Sequence, residues 1–294
     1  MKIQLPETFT ASMKDLLGDE YQAYLDSFEE PRIYGLRVNT LKWTPEQCRQ
    51  VYGDFQQVPW IANGLLYPEE RRMAKDPYYY AGLYYLQEPS AMTPAACLPI
   101  EEGDRVLDLC AAPGGKTLLL AEEMENTGCL VSCDVTENRV RLIRKAVERM
   151  GFTNAETRVN DAAVCNPELP QADRILADVP CSGIGILAKK PDIRYKKLEK
   201  TRHDELLSTQ SAILDTAAAL LKPGGRLVYS TCTIDPTENE EQVAAFLRRH
   251  PEFAVATPEI PFPAGMTVGE YGALSIPTRT GMDGFFLCAL QKAI

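Results

Sequence analysis

From Glu101 onward, short apolar or β-branched runs alternate with helical patterns, and no other feature limits the possible folds as tightly. The runs are RVLDL (105–109), CLVSCD (129–134), ETRV (156–159), RILAD (174–178), RLVYS (226–230) and GFFLCAL (284–290). Between them lie KTLLLAEEM and then ENRVRLIRKAVERMG, the latter closed by a C-cap-like Gly151. RHDELLSTQSAILDTAAALLKPGG reads as a long helix stopped by Pro223 and the glycines. TENEEQVAAFLRRH reads as another, opened by Thr237 with acids in its first turn. Strands that alternate with helices need crossover connections, so the expected fold is α/β with a doubly wound, mostly parallel sheet.

The first hundred residues break that rhythm. RIYGLRVNTLK and VPWIANGLLYP read as short strands around a helix in TPEQCRQVYG, and PYYYAGLYYLQEPSAMTPAACL leads into the first sheet strand. This is a small α+β module, with a division expected near residue 92, giving domains 1–92 and 93–294. The sequence shows no repeat, low-complexity tract or long flexible linker, so the two parts are expected to pack closely.

Composition removes several function classes. The N-terminal MKIQLPETFT has no apolar core of a signal peptide, and no stretch reaches the 18 apolar residues of a membrane span. Nine cysteines without CxxC spacing point to reduced thiols in a cytoplasmic protein. Only two histidines occur, His203 and His250, which leaves little material for a zinc site or a Ser-His-Asp triad; no metal is expected. The net charge of −10 argues against nucleic acid as a partner unless positive charge is gathered locally.

It is gathered in KKPDIRYKKLEKTR. Lys189, Lys190, Arg194, Lys196, Lys197, Lys200 and Arg202 face Asp192 and Glu199 there, a local +5. Directly after a cysteine loop, such a run suits phosphates at a pocket rim, and local potential governs docking more than net charge. The tyrosines Tyr78, Tyr79, Tyr80, Tyr84 and Tyr85 are expected to pack between the domains rather than to stack on bases.

After the first strand comes CAAPGGKT, a loop of small residues that lets backbone N–H groups approach a ligand. A P-loop would need glycine where Cys110 stands, and a dinucleotide fingerprint would need GxGxxG, which is absent. S-adenosylmethionine remains: its cationic methionine end suits acidic and carbonyl oxygens, and its ribose suits a carboxylate closing the second strand, as Asp134 does. Asp161, after the third strand, is placed to accept from an adenine amino group.

Cys181 and Cys232 each follow a strand end by two or three residues, in DVPCSGIG and STCTIDPTENEE. In a doubly wound sheet these two strands are neighbours about 5 Å apart, so thiols 51 positions apart in sequence can line one pocket. Methylation of cytosine at carbon 5 needs that chemistry. A thiolate adds to carbon 6, a carboxyl such as Asp178 at the N3 edge supports the electron shift, and a base then takes the carbon-5 proton. A cysteine taken alone is more often a buried structural thiol, and Cys110, Cys129, Cys133 and Cys288 are read that way, with Cys110 also meeting the cofactor through its backbone.

LDLCAAPGGKT, DVPCSGIGILAKKPDIRY, STCTIDPTENEEQV and DGFFLCALQK resemble the cofactor loop, the two cysteine motifs and the closing strand of the RsmB/Nop/Sun family of RNA cytosine-5 methyltransferases, over about Leu86 to Lys292. LRVNTLK and YYLQEPSAM resemble its RsmF-type branch, which modifies small-subunit rRNA. Longer members carry a PUA-like domain for RNA binding, and this chain ends just after the last sheet strand. The resemblance implies a Rossmann-like methyltransferase sheet, S-adenosylmethionine as cofactor and RNA as partner, with Cys232 as nucleophile and Cys181 assisting product release. It assigns Cys110, Ala111, Ala112, Pro113, Gly114, Gly115, Lys116, Asp134, Asp161 and Asp178 to the cofactor and target-base site. A monomer acting on rRNA or the small subunit is expected. A tRNA substrate and a non-catalytic ribosome-assembly factor are the alternatives. Transfer to protein glutamine or an exocyclic amine would need an [ND]PP[YF] loop where DVPC stands.

Overall fold

The computed structural model describes residues 5–53, 55–195 and 200–294. Before the first strand come α1 (Glu7–Leu17) and α2 (Tyr21–Asp26). A small antiparallel sheet follows, built from β1 (Tyr34–Val38), α3 (Pro45–Tyr52), β2 (Gln56–Gln57), β3 (Gly64–Tyr67), α4 (Pro77–Tyr80) and β4 (Tyr84–Leu86), in strand order β2-β3-β1-β4. The helix expected at TPEQCRQVYG is α3; Pro45 opens it, and Thr44 and Gln47 form a reciprocal capping box. Of VPWIANGLLYP only Gly64–Tyr67 is strand. The segment before it turns, with Val58 N donating to Gly64 O and Ile61 N to Val58 O, because Pro59 offers no donor to a ladder.

Helix α5 (Pro89–Ala96) leads into the large sheet, so the expected division at residue 92 falls inside a helix. Then come β5 (Arg105–Asp108), α6 (Gly115–Glu123), β6 (Cys129–Asp134), α7 (Glu137–Met150), β7 (Ala155–Val159), β8 (Ala172–Asp178), α8 (Lys200–Leu220), β9 (Leu221–Thr231) and α9 (Glu240–Arg249). The last elements are β10 (Phe253–Val255), β11 (Thr267–Gly269), β12 (Gly272–Ser275), α10 (Pro277–Thr280) and β13 (Phe285–Lys292). The order is β11-β12-β13-β9-β8-β5-β6-β7, with β10 also on β13. Strands β9 through β7 run parallel, and β13 and the outer strands run antiparallel. This is the doubly wound, mostly parallel sheet that the alternating pattern predicts.

The periodicity explains the helices. On α7, Val140, Ile143, Ala146, Val147 and Met150 are buried on one stripe, and Gly151 ends it at φ +85°. One side of the sheet is covered by α6 and α7; on the other, α8 and α9 bury Ile213, Leu214, Ala217 and Phe246. Full burial of each such side chain stabilises by about 1.5–3 kcal/mol. Two helix ends differ from expectation. Helix α8 stops at Leu220 and LKPGG already belongs to β9, because Leu221 pairs with Ala172; Lys292 Nζ donates to Ala218 O and Leu221 O, satisfying carbonyls at the helix end. Helix α9 opens at Asn239 rather than Thr237, whose N–H and hydroxyl are both held by Asp235 Oδ1.

The first two helices, invisible to the sequence reading, pack on the loops at the sheet's carboxyl edge. Met13, Tyr21 and Tyr24 cluster with Leu187, Ile234 and Ile276, and Tyr24 Oη donates to Ile184 O at 2.7 Å.

Candidate active site

The strand order reverses between β5 and β8, where a doubly wound sheet opens a crevice at its carboxyl ends. The loop after β5 enters this crevice. Ala111 N donates to Cys133 O at 2.8 Å and Ala112 N to Asp134 Oδ2 at 3.0 Å, which ties the loop to the end of β6. Gly114 turns the chain into α6 at φ +108°, and a Cβ there would stand 3.3 Å from the Ile143 backbone, so any other residue at this turn is strained. Asp134 is buried; its Oδ1 accepts from Val135 N at 2.8 Å and from Arg139 Nε at 2.5 Å. Asp161 lies exposed just beyond β7 and accepts from Ala163 N at 3.0 Å.

Three observations fit a cofactor with a cationic tail and a purine. Asp108, ending β5, is fully buried with Oδ1 unpartnered, and Asn160, just beyond β7, is buried with an idle Nδ2 donor. Burial pushes the Asp108 carboxyl up to about 7, with Asp178 and Asp134 adding repulsion against the hydrogen bond from Thr117. A positive group entering among these three acids would relieve the repulsion. Sequence reasoning passed over Asp108 and Asn160, although both sit at the carboxyl ends of strands, which is the signal that singled out Asp134 and Asp161.

On the far side of the crevice the two thiols meet. Cys181 follows β8 and Cys232 directly follows β9, with their Sγ atoms 3.2 Å apart. Cys181 donating its S–H holds the Cys232 thiol below its ordinary value, against burial, with Lys116 and Lys190 adding attraction. The same hydrogen bond and burial push Cys181 well up. One thiol is thereby set to ionise and the other to stay protonated. Asp178 completes the group: Lys116 Nζ donates to its Oδ2 at 2.7 Å and Ser230 Oγ to its Oδ1 at 2.8 Å. Burial works to lower the Lys116 pKa, but the Asp178 pair wins and raises it, keeping the ammonium charged 5.0 Å above the Phe285 ring.

The thiols are held by residues behind them. Glu238 Oε2, fully buried, accepts from Ser182 N at 2.9 Å and Gln210 Nε2 at 2.8 Å. Asn239 accepts from Thr231 Oγ1 at 2.6 Å and donates to Thr233 O at 3.1 Å. Gly185 donates to Cys232 O at 3.1 Å, and a Cβ there would come within 2.9 Å of that oxygen. His203, Asp235 and Glu238 bring donor atoms within 4.8 Å of one another behind Cys181, with Glu238 already engaged by Ser182 and Gln210.

This asymmetry has a measurable consequence. Alkylation of Cys232 by iodoacetamide should rise with pH along a curve whose midpoint lies below the ordinary thiol value. Cys181→Ala, which removes the donor, should move the midpoint upward. Peptide mapping across a pH series reads both, and an unchanged midpoint in the variant contradicts the pairing.

Of the basic run, Lys189, Lys190, Lys200 and Arg202 are exposed beside the site. Arg194 is not on that rim: it is buried with its guanidinium 4.3 Å over the Phe28 ring and bonded to Leu187 O, because α2 and the segment after it cover this stretch. Lys196 and Lys197 lie outside the described residues. Tyr79 and Tyr85 pack between the small sheet and α7, with Arg149 stacked 4.2 Å from Tyr79 and 5.8 Å from Tyr85, whereas Tyr78 and Tyr80 are exposed. Among the cysteines read as structural, Cys133 and Cys288 are buried, but Cys129 is exposed at the first position of β6.

A sheet of this strand order, with a glycine loop after its first parallel strand and acids closing the next two, defines a Rossmann-like methyltransferase fold. A methyltransferase homologue from Pyrococcus horikoshii shares it: 28% identical, TM-score 0.83, covering 98% of this chain and 95% of that one. Residues 95–291 match the family described as 16S rRNA methyltransferase RsmB/F, and residues 5–89 match the N-terminal domain of 16S rRNA methyltransferase RsmF. The chain belongs to the RsmB/F family. It is 35% identical over 307 residues to ribosomal RNA small subunit methyltransferase F of Vibrio cholerae, covering 99% of this chain and 64% of that protein. It is 39% identical over 220 residues to the probable ribosomal RNA small subunit methyltransferase B of Bacillus subtilis, covering 73% of this chain and 49% of that protein. The chain thus spans from about half to just under two-thirds of the length of these curated relatives.

Proposed function

We propose that this chain methylates carbon 5 of a cytosine in RNA, with small-subunit rRNA as substrate, through a covalent bond between Cys232 and carbon 6 of the base. The observation that carries this reading is the pair of thiols 3.2 Å apart beside the Lys116–Asp178 ion pair. An unstacked cytosine enters with its ring face toward Cys232. The Cys232 thiolate adds to carbon 6, while a proton that Asp178 relays from the Lys116 ammonium to N3 neutralises the charge moved into the ring and makes carbon 5 nucleophilic. S-adenosylmethionine, when bound, supplies an electrophilic methyl group; Asp108, Asp134, Asp161 and the 110–116 loop are the residues to hold it. After transfer solvent water takes the carbon-5 proton, the electron pair reforms the ring double bond, and Cys232 leaves as a thiolate stabilised by the Cys181 S–H. In this reading residues 1–92 form the accessory domain facing RNA and residues 93–294 the catalytic domain, with Lys189 and Lys190 on phosphates.

The test is to incubate the protein with methyl-labelled S-adenosylmethionine and unmodified rRNA or small subunits, then digest and identify the labelled nucleoside. Label in 5-methylcytidine is the expected result. Label in any other nucleoside sinks the two-thiol mechanism.

A further inference from the structure

A cleft of about 330 Å³ opens where the small sheet faces the Cys181 loop. Tyr34 and Tyr67, with ring centroids 5.7 Å apart, form part of its wall, and Glu88, Asp283, Lys189 and Arg32 bring charge to it. The two acids belong together. Glu88 caps α5 through its Oε2 and accepts from Asp283 N through its Oε1 at 3.3 Å. Burial, then the nearby Asp283 carboxylate, push Glu88 up to about 7. Lys189 and Arg32 both act on Asp283 from the cleft's rim.

This cleft is separate from the thiol pocket yet adjoins it. Gly185 lines it, while the Gly185 N–H donates to Cys232 O and its carbonyl accepts from Gly284 N at 2.8 Å. A strand whose target base occupies the thiol pocket therefore passes this opening with a neighbouring nucleotide. We infer that the cleft binds the base of a nucleotide flanking the methylated cytosine and selects guanine. Above pH 7, where Glu88 too is ionised, the two side-by-side carboxyls offer acceptors only, and the Watson–Crick edge of guanine presents two adjacent donors, N1–H and the exocyclic amine. Uracil, cytosine and adenine each turn at least one acceptor toward the acids, which is repulsive. An aromatic wall takes the base face, and the two cations take the phosphate that accompanies it.

This inference rests on RNA being the substrate, and its test keeps the two apart. The protein is equilibrated with a pool of RNA octanucleotides carrying one fixed cytosine among random positions, and the bound fraction is sequenced. Guanosine should be enriched about 10-fold over uridine at one fixed distance from the cytosine. Asp283→Asn should flatten that enrichment, and Glu88→Gln should do the same. If loss of the α5 cap unfolds the Glu88 variant, Asp283→Asn alone decides. Lys189→Ala should weaken all sequences equally and leave the preference intact. A bound fraction without guanosine enrichment, or enrichment that survives in Asp283→Asn, overturns the inference. The same pool, incubated with labelled cofactor and digested, reports the reaction separately. Guanosine selection without 5-methylcytidine would sink the proposed reaction and leave the cleft assignment standing.

Discussion

Cys232→Ala should reduce methyl transfer to background, a loss on the order of 10⁴-fold or more, as expected when a nucleophile is removed from a covalent mechanism. RNA binding should persist, because the exposed cations Lys189, Lys190, Lys200 and Arg202 are untouched. Cys181→Ala should behave differently, although the two sulfurs are only 3.2 Å apart. Its Cys232 can still attack carbon 6, but the S–H that stabilises the departing Cys232 thiolate is gone, so the covalent protein–RNA complex accumulates. A denaturing gel shows it as a band of reduced mobility that ribonuclease removes. Losing the hydrogen bond from Cys181 also raises the Cys232 pKa, so adduct formation in the variant should shift to higher pH. If Cys181→Ala turns over normally and Cys232→Ala traps the complex, the roles are reversed. Turnover in both variants would move weight to a non-catalytic RNA-binding role.

The sheet and the loop after its first parallel strand were legible for one physical reason. Parallel strands buried on both faces become short apolar runs, and the residues that end them sit at the carboxyl edge, so the positions of Asp134, Asp161, Asp178, Cys181 and Cys232 at that edge could be read from spacing, while their expected roles came with the resemblance. What stayed hidden depends on partners far away in sequence. Met13 and Tyr24 carry no strong helical signal, because the surface they cover is the loop around Ile184 and Leu187, some 160 positions on. Arg194 reads as one more phosphate contact in a basic run until Phe28 is seen beneath it. Glu88 looks like an ordinary acid ahead of a proline-led helix; only the fold brings Asp283 to it. Cys129 sits in an apolar run but at its first position, where β6 is still exposed. Pattern reads a residue's own element well and its tertiary neighbours poorly.

Arg37 is the strongest case of that limit, and it carries the second large effect. In LRVN it alternates with apolar neighbours like a solvent-facing strand residue, yet it is fully buried. Its Nε donates to Glu122 Oε2 at 2.9 Å and its Nη2 to Oε1 at 3.4 Å, while Nη1 donates to Gly115 O at 2.9 Å and to Gln87. Asn63 Nδ2 adds a further donor to Glu122 at 2.9 Å. The small sheet thus reaches through one guanidinium to the first residue of α6, where the loop after β5 ends. Glu122→Ala leaves that guanidinium buried without its counter-charge, at a cost of about 3–5 kcal/mol. For a chain of this size the melting temperature should fall by about 6–10 °C. Replacing both partners, Arg37→Met with Glu122→Leu, removes the unpaired charge as well as the pair, so the double variant should be more stable than Glu122→Ala alone. Affinity for the cofactor should fall in both, because each loses a bond that fixes Gly115 or the helix behind it: Arg37 to the carbonyl directly, Glu122 through Arg37. Thermal denaturation separates the two outcomes, and a fall of under about 2 °C for Glu122→Ala would show that water reaches the guanidinium and that the pair does not join the two sheets.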